Sequence, residues 1–428
     1  MKYIPRVVDQ ILQEKIESKG AILIRGPKWC GKSTTAMQKS NSVLDLSDST
    51  TLQQNKDLAK LDAPLLLQGD TPRLIDEWQE IPSLWDSVRH EVDVRRKVGQ
   101  FILTGSATPL NEETRSQIHH TGTGRFAFVN MYTMSLYESG ESSGEISLGE
   151  LFTQPESIRG INKLSLKDIA YLTCRGGWPF GIDYNLSIKA SLQQSMDYLD
   201  VVIEEDISRV DGVERNPDLA RKIMRSYARN QGGQTPVTKI KNDIVANEHS
   251  NVTEETVARY INAMRQIFVI KDLEAWNPNL RSKTSIRTTP TRYFIDPSLS
   301  TATLRIGPDD LINNLIDFGF FFETLCIRDL RVYTEALDGD LFHYRDSNGL
   351  ECDAVVHLRN GKYGLIEIKL GGDRLIEEGV KNLNKLSDIL DSNKMGKPSF
   401  KMVLTAVGPY AFKREDGVYI VPIGCLKP

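Results

Sequence analysis

The octet Gly26-Pro27-Lys28-Trp29-Cys30-Gly31-Lys32-Ser33 constrains this chain more than any other feature. Its fixed positions spell G-x-x-x-x-G-K-[ST]. An apolar run, Ala21-Ile22-Leu23-Ile24, precedes it, and Ser33-Thr34-Thr35-Ala36-Met37 is able to open a helix. A strand, a glycine-bearing turn and a helix in that order aim backbone N–H groups and the positive end of the helix at an anion. The stretch Gly26 to Thr34 is therefore expected to cradle the phosphates of a nucleotide. Lys32 would reach the β- and γ-phosphates and the Ser33 hydroxyl would ligate Mg²⁺. Cys30, next to Gly31, is expected to lie beside the phosphates.

Around the octet, short β-like runs alternate with helical stretches: Val43 to Leu46, Arg73 to Asp76, Phe101 to Thr104 and Phe126 to Val129. That rhythm implies βαβ units and a mainly parallel sheet over residues 1–145. Ligands of such sheets gather at the carboxyl ends of the strands. Asp76, closing Leu74-Ile75-Asp76-Glu77, is expected to hold the Mg²⁺ water shell, and Glu77 to orient and polarise an attacking water. Phe101 to Ser106 reads as a neighbouring strand ending in hydroxyls, so Thr104 or Ser106 is a candidate γ-phosphate sensor. Arg125 either offers a guanidinium to the γ-phosphate of its own or a neighbouring subunit, or makes a surface salt bridge.

At 428 residues the chain is long enough for two or three cores, so a multidomain protein is expected. No segment approaches the ~18 consecutive apolar residues of a membrane span, and Met1 to Arg6 lacks the pattern of a signal peptide. A cytoplasmic protein without a membrane partner is expected. Five scattered cysteines without C-x-x-C pairs argue for free thiols rather than disulfides or a zinc site. Net charge is −4, so nucleic-acid binding has to be sought in local patches. Arg215, Arg221, Lys222, Arg225, Arg229, Lys239 and Lys241 face only Asp218 and Asp243 between Arg215 and Val245, and Arg281, Lys283, Arg287 and Arg292 form a second basic stretch.

Tyr137 to Gly149, rich in Ser, Gly and Glu, reads as a surface loop or linker. Residues 150–300 read mostly helical. Val257, Tyr260, Ile261, Met264, Ile267 and Phe268 share one helical face, with Asn251 or Thr253 as N-cap. Residues 310–428 read as a second α/β domain, a helix around Phe320 to Arg331 followed by β-like runs at Leu341 to Tyr344, Asp353 to Val356 and Leu365 to Ile368.

The octet, Ile75 to Glu80, Leu103 to Ser106 and Gly124-Arg125, with later markers at Asp200 to Arg209, Thr256 to Tyr260, Tyr293 to Asp296, Phe322 to Thr324 and Tyr344 through Lys369, resemble a prokaryotic AAA-type ATPase family. In that family the ATPase is fused to a C-terminal domain of unknown function with a restriction-endonuclease-like core. The resemblance implies an α/β P-loop domain of the additional-strand class using ATP and Mg²⁺, a winged-helix-like module near residues 215–275, and the C-terminal core. Two departures stand out: Trp29-Cys30 is bulky, and Pro72-Arg73 interrupts the strand before Asp76. Glu323, Asp353 and Glu367-x-Lys369 follow the order of an endonuclease-like centre, an acid on a helix, an acid opening a strand and E-x-K on the next, with Glu351 as a spare carboxylate. Strand alternation puts Glu367 and Lys369 on one face. The four residues are a candidate second, metal-holding site. Two functions are expected: a DNA-associated ATPase with a metal-dependent nuclease or degenerate nuclease-like domain, or a nucleotide-operated switch for a protein partner with an inert C-terminal scaffold. Either would accommodate a homo-oligomer.

Overall fold

The computed structural model describes residues 3–105, 118–184, 186–277, 289–392 and 396–428. It divides into two compact units with interleaved segments. The first comprises Met1–Thr133, Val201–Asn216 and Asn262–Val269, the second the rest.

In the first unit β1 (Ala21–Arg25), β2 (Ser42–Asp45), β3 (Arg73–Asp76), β4 (Phe101–Gly105) and β5 (Phe126–Asn130) form one sheet in the order β2-β3-β4-β1-β5. Every pairing is parallel. Strand alternation sends neighbouring residues to opposite faces. Ala21, Leu23, Ile75, Phe101 and Leu103 pack with Leu84, Trp85, Val88 and Val92 of the helix Leu84–Arg95. Ile22, Ile24, Leu74 and Ile102 pack with Val8 and Leu12 of α1 (Val8–Ser18) and Ala36 of α2 (Lys32–Met37). Both faces are covered, which is why these strands are almost wholly apolar. The β4 strand lies between the loop-bearing β1 and the Asp76-bearing β3, the inserted-strand order that the resemblance implies. Pro72 does not interrupt β3, which starts at Arg73. A π-helical turn, Val202–Asp206, also belongs to this unit.

Besides the short β6 (Ile146–Ser147), the second unit carries a seven-stranded mixed sheet. Its strands are β7 (Gly160–Ile161), β8 (Gly339–Arg345), β9 (Glu351–Leu358), β10 (Tyr363–Lys369), β11 (Phe400–Thr405), β12 (Tyr410–Lys413) and β13 (Tyr419–Pro422), in the order β7-β12-β13-β11-β10-β9-β8. The long helix Leu315–Ala336 precedes β8, and Asp373–Ser392 separates β10 from β11. Tyr137 to Gly149 is largely a loop, as its composition implies, but one bonded into the second unit. Leu136 N–H donates to Asp329 (2.9 Å), Ser142 Oγ to the Leu426 carbonyl (2.7 Å), and Ile146–Ser147 pairs with Leu426–Lys427. Its polar residues have partners inside the unit, so their number does not mark a solvated segment. The helices Pro217–Arg229 and Val237–Asn247 lie in this unit, Glu254–Gln266 begins in it and from Asn262 belongs to the first, and the antiparallel bridges Ile270 to Phe294 and Leu273 to Thr291 follow in the second. Thr253 caps the third helix through the Thr256 amide (3.2 Å). Among the described residues no helix is long and apolar enough to cross a membrane.

Candidate active site

The strand β1 delivers the chain to the sheet's carboxyl edge, where the loop turns back into α2. Gly26 is required there: a side-chain carbon at this position would lie 2.0 Å from the Met131 carbonyl oxygen. Gly31 closes the loop at φ +100°, a left-handed geometry that glycine adopts without steric cost. Lys32 is buried, and its ammonium donates to the carbonyls of Gly26 (3.0 Å) and Pro27 (2.7 Å). Ser33 Oγ donates to Asp76 Oδ1 (2.7 Å), and Thr104 Oγ1 donates to the same oxygen. Three strand ends thus converge on one hydroxyl–carboxylate group. A hydroxyl and a carboxylate at contact distance, with an ammonium alongside, are the donor set a Mg²⁺–triphosphate needs.

Glu77 follows Asp76 in the left-handed region, at φ +55°. Such geometry is uncommon for a residue with a side chain and is concentrated at functional sites. Its carboxylate accepts from Gln79 Nε2. Thr34 is exposed, and Lys28 and Trp29 project outward from the loop. Cys30 does not lie toward the phosphates: its side chain is fully buried against Ile22, Ile24 and Met131, so only its backbone serves the loop. Its apolar size suits that core, an inward direction that the octet spacing does not encode.

Of the alternatives open to Arg125, the described contacts are those of a surface salt bridge. It precedes β5, whose Phe126 is in register with Ala21, so it stands at the amino edge of the sheet, opposite the loop. A five-residue strand separates the two edges, roughly 16 Å at 3.3 Å per residue. Its guanidinium forks onto Asp93 (2.9 and 3.1 Å), which holds that carboxyl below its usual range. Ser106 lies outside the described residues. Two contributors are not legible in the sequence. The Arg6 guanidinium donates to the carbonyls of Cys30 (2.8 Å) and Tyr132 (2.9 Å), and Asp206 accepts from Lys28 (2.6 Å). Arg6 comes from a segment without a recognisable motif; Asp206 lies within the marker Asp200 to Arg209, but nothing in that run assigns it to the loop.

The second unit brings Asp353, Glu367 and Lys369 together. Register carries β9 and β10 from Tyr363–His357 to Ile366–Ala354, which leaves Asp353 opposite Glu367. The Lys369 ammonium lies 2.7 Å from Glu367 and 3.3 Å from Asp353, and Asp353 also accepts from the Ile368 amide (2.7 Å). Glu323, on the helix Leu315–Ala336, accepts from the Tyr293 hydroxyl. Burial, then the charge of Asp353, pushes Glu323 up to about 8, and the same causes raise Glu367 well above the ordinary carboxylate range. Gly232 lies over Glu323, since a carbon added there would sit 3.3 Å from a carboxylate oxygen. Glu351 is exposed and paired with Arg345 (3.2 Å). Among the described residues no group of three or more acids, histidines or cysteines is arranged to hold a metal ion. Asp353 and Glu367 share the Lys369 ammonium.

Among the described residues, the arginines of the basic stretches are paired with acids. Arg215 pairs with Asp211 (2.6 Å), Arg221 with Asp200 (2.7 Å), Arg225 with Glu248 (2.9 Å), and Arg229 with Asp243 (2.7 Å) and Glu248 (3.0 Å). Arg292 is buried against Asp272 (2.6 Å). Arg281, Lys283 and Arg287 lie outside the described residues. Lys239 is exposed and Lys241 half-buried.

The inserted-strand parallel sheet, the glycine loop and the Ser33–Asp76 contact define the first unit as a P-loop nucleotide-binding domain. Residues 18–140 match the family described as an AAA domain, so that domain is of the AAA type. Residues 166–310 and 318–426 match two further families, each described as a domain of unknown function (DUF8612 and DUF4143). Uncharacterized proteins of Mycobacterium bovis and Mycobacterium tuberculosis are each 22% identical over 413 residues, covering 96% of this chain and 82% of theirs. Among solved structures, a Walker-type ATPase of Pyrococcus abyssi is similar at TM-score 0.42 and 14% identity, over 70% of this chain and 94% of that one. The Aeropyrum pernix ORC2 protein, solved in ADPNP–ADP complexes, is similar at TM-score 0.30 and 11% identity, over 72% and 92%. Both structural likenesses are weak.

Proposed function

We propose that the chain binds ATP with Mg²⁺ and hydrolyses it. The observation that carries this reading is the 2.7 Å contact from Ser33 Oγ to Asp76, made across two strands separated by β4, beside an ammonium whose partners among the described residues are carbonyls. Lys32 would turn from those carbonyls to the β- and γ-phosphates, and Ser33 and Asp76 would hold Mg²⁺, which supplies positive charge against the phosphate oxygens. Glu77 would orient and polarise the attacking water, with Gln79 fixing its carboxylate. The test is to measure ATP affinity and turnover separately for the unsubstituted chain, Lys32→Ala and Glu77→Gln. Lys32→Ala is expected to lose binding, and Glu77→Gln to bind ATP yet turn it over slowly. Unaltered turnover in both variants would sink the assignment.

For the second unit, the juxtaposition of Asp353, Glu367 and Lys369, with the charge of Asp353 felt at Glu323, supports a restriction-endonuclease-like core. The same contacts favour the switch reading over a DNA-cutting one. Lys369 lies against two of the acids, and most of the described arginines that would meet DNA phosphates already hold carboxylates. On this reading ATP turnover serves to move a protein partner between states. Salt-dependent DNA binding together with Mg²⁺-dependent cleavage lost on Asp353→Ala would overturn this preference.

A further inference from the structure

Trp29 sits at φ +65° in the middle of the phosphate loop and is 64% exposed. A tryptophan in the left-handed region is disfavoured by its own Cβ, so the loop holds this shape only if its flanks are secured. The flank after Trp29 is secured by Arg6, through the Cys30 and Tyr132 carbonyls. On the flank before it, the Lys28 ammonium donates to Asp206 Oδ1 at 2.6 Å. Asp206 closes the π-helical turn Val202–Asp206 and is only 7% exposed, whereas the Lys28 side chain is 44% exposed. The burial is lopsided: the carboxylate has little water to turn to, and the lysine has plenty. One-turn π-helices are rare and recur at functional sites.

We propose that Asp206 is a positioning residue of the nucleotide site, holding the phosphate loop in its binding shape through Lys28. This rests on the ATP reading above. A loop fixed before the nucleotide arrives loses less conformational freedom on binding, so the ion pair acts on affinity. Glu77, Ser33 and Asp76, which would serve the chemical step, stand on other strand ends or after the loop and do not touch the pair. By linkage, whatever the pair does for the nucleotide the nucleotide does for the pair, so ATP tightens the Val202–Asp206 turn.

The experiment is steady-state ATPase kinetics on the full chain carrying Asp206→Asn, Lys28→Met, both together, or Asp206→Glu. Each single variant is expected to raise KM about tenfold with kcat within about twofold, the signature of lost binding without lost transition-state contact. The double variant is expected to match the singles, because they remove one interaction. Asp206→Glu should restore most of the affinity. Lys28 can turn to water when Asp206 is neutral, so the Asn variant should fold, and its melting temperature checks this. Amide exchange in residues 202–206 is expected to slow with ATP in the unsubstituted chain and not in Lys28→Met. An unchanged KM in Asp206→Asn, or single effects that multiply in the double variant, would overturn the proposal. If the unsubstituted chain binds no ATP, the nucleotide reading and this one fall together.

Discussion

In the phosphate loop the ammonium of Lys32 has two carbonyl oxygens as partners and, among the described residues, no carboxylate, whereas the ammonium of Lys369 is shared by Asp353 and Glu367. The first lysine lies in a strand–loop–helix turn only a few residues long. The second is assembled from two strands, with an acid from a distant helix drawn into the same electrostatic neighbourhood. The difference teaches how a charge left open for a ligand can be told from one spent on the fold. A buried cation coordinated only by dipoles still has its counter-ion to find, and a polyanion supplies it. One that already sits between two acids gains little from a further anion, and removing it strands them.

The comparison is tested most severely by Lys32→Met. It is expected to lower ATP turnover by at least about 100-fold, yet to move unfolding free energy by only about 1 kcal/mol, because no carboxylate is left unpaired. Nucleotide binding and chemical denaturation read the two effects separately. Lys369→Met should do the reverse. Leaving Asp353 and Glu367 without their cation is expected to cost roughly 3–5 kcal/mol of stability. Low pH or millimolar divalent cation should partly restore that loss, and ATP affinity should stay within about twofold if the first unit is unaffected. Melting curves across pH and Mg²⁺ concentration test it. A Lys369→Met protein as stable as its parent would erase the distinction.

Glu323 gives a smaller effect with a definite sign. Its carboxyl is raised from 4.5 to about 8 by burial and then by the charge of Asp353, so the folded chain holds a proton that the unfolded chain has released. The unfolded state binds fewer protons between those values, and stability therefore falls as pH rises from about 4.5 to about 8. Glu323→Gln keeps an acceptor for Tyr293 and cannot ionise. Its stability advantage over the parent is expected to grow across that window, to on the order of 2 kcal/mol at the alkaline end. Denaturant titrations at intervals of pH would show the two curves diverging, and parallel curves would contradict it. The smallest effect belongs to Arg125. Its solvent-exposed fork onto Asp93 is screened by water, so Arg125→Gln is expected to melt together with the parent. At the amino edge of the sheet it should leave ATP turnover unchanged in dilute protein. A loss of turnover that appears only at high protein concentration would mark it as a residue acting on a neighbouring copy.

Much of the nucleotide site is legible in the order of the residues because its parts are neighbours along the chain. The octet, the strand ahead of it and the helix after it lie within two dozen residues, where backbone geometry follows from residue type. The apolar strand runs announce a sheet buried on both faces. Asp353 and Glu367-x-Lys369 can be paired because alternation along β10 and a short hairpin at Arg359 to Lys362 leave little freedom of register. Expectation and structure part where a residue's partner is remote. The arginines of 215–229 look like an open basic patch until Asp200 and Glu248 arrive to pair with them. Arg125 reads equally as a phosphate ligand or a surface ion pair until the register of β5 puts it at the amino edge, beside Asp93.

By itself, then, the sequence determined the phosphate loop, the rhythm of the strands around it and the apolar faces they bury, because these depend on the properties of near neighbours. Only the tertiary structure decided that β4 would separate the loop from Asp76, that Cys30 would turn inward, that Arg6 and Asp206 would flank the loop, and which lysine would be neutralised. Those outcomes depend on which distant groups meet. Coulomb and hydrogen-bond energies fall off within a few ångströms in water-bathed protein, so a charge is open or spent according to its contacts and not its place in the chain.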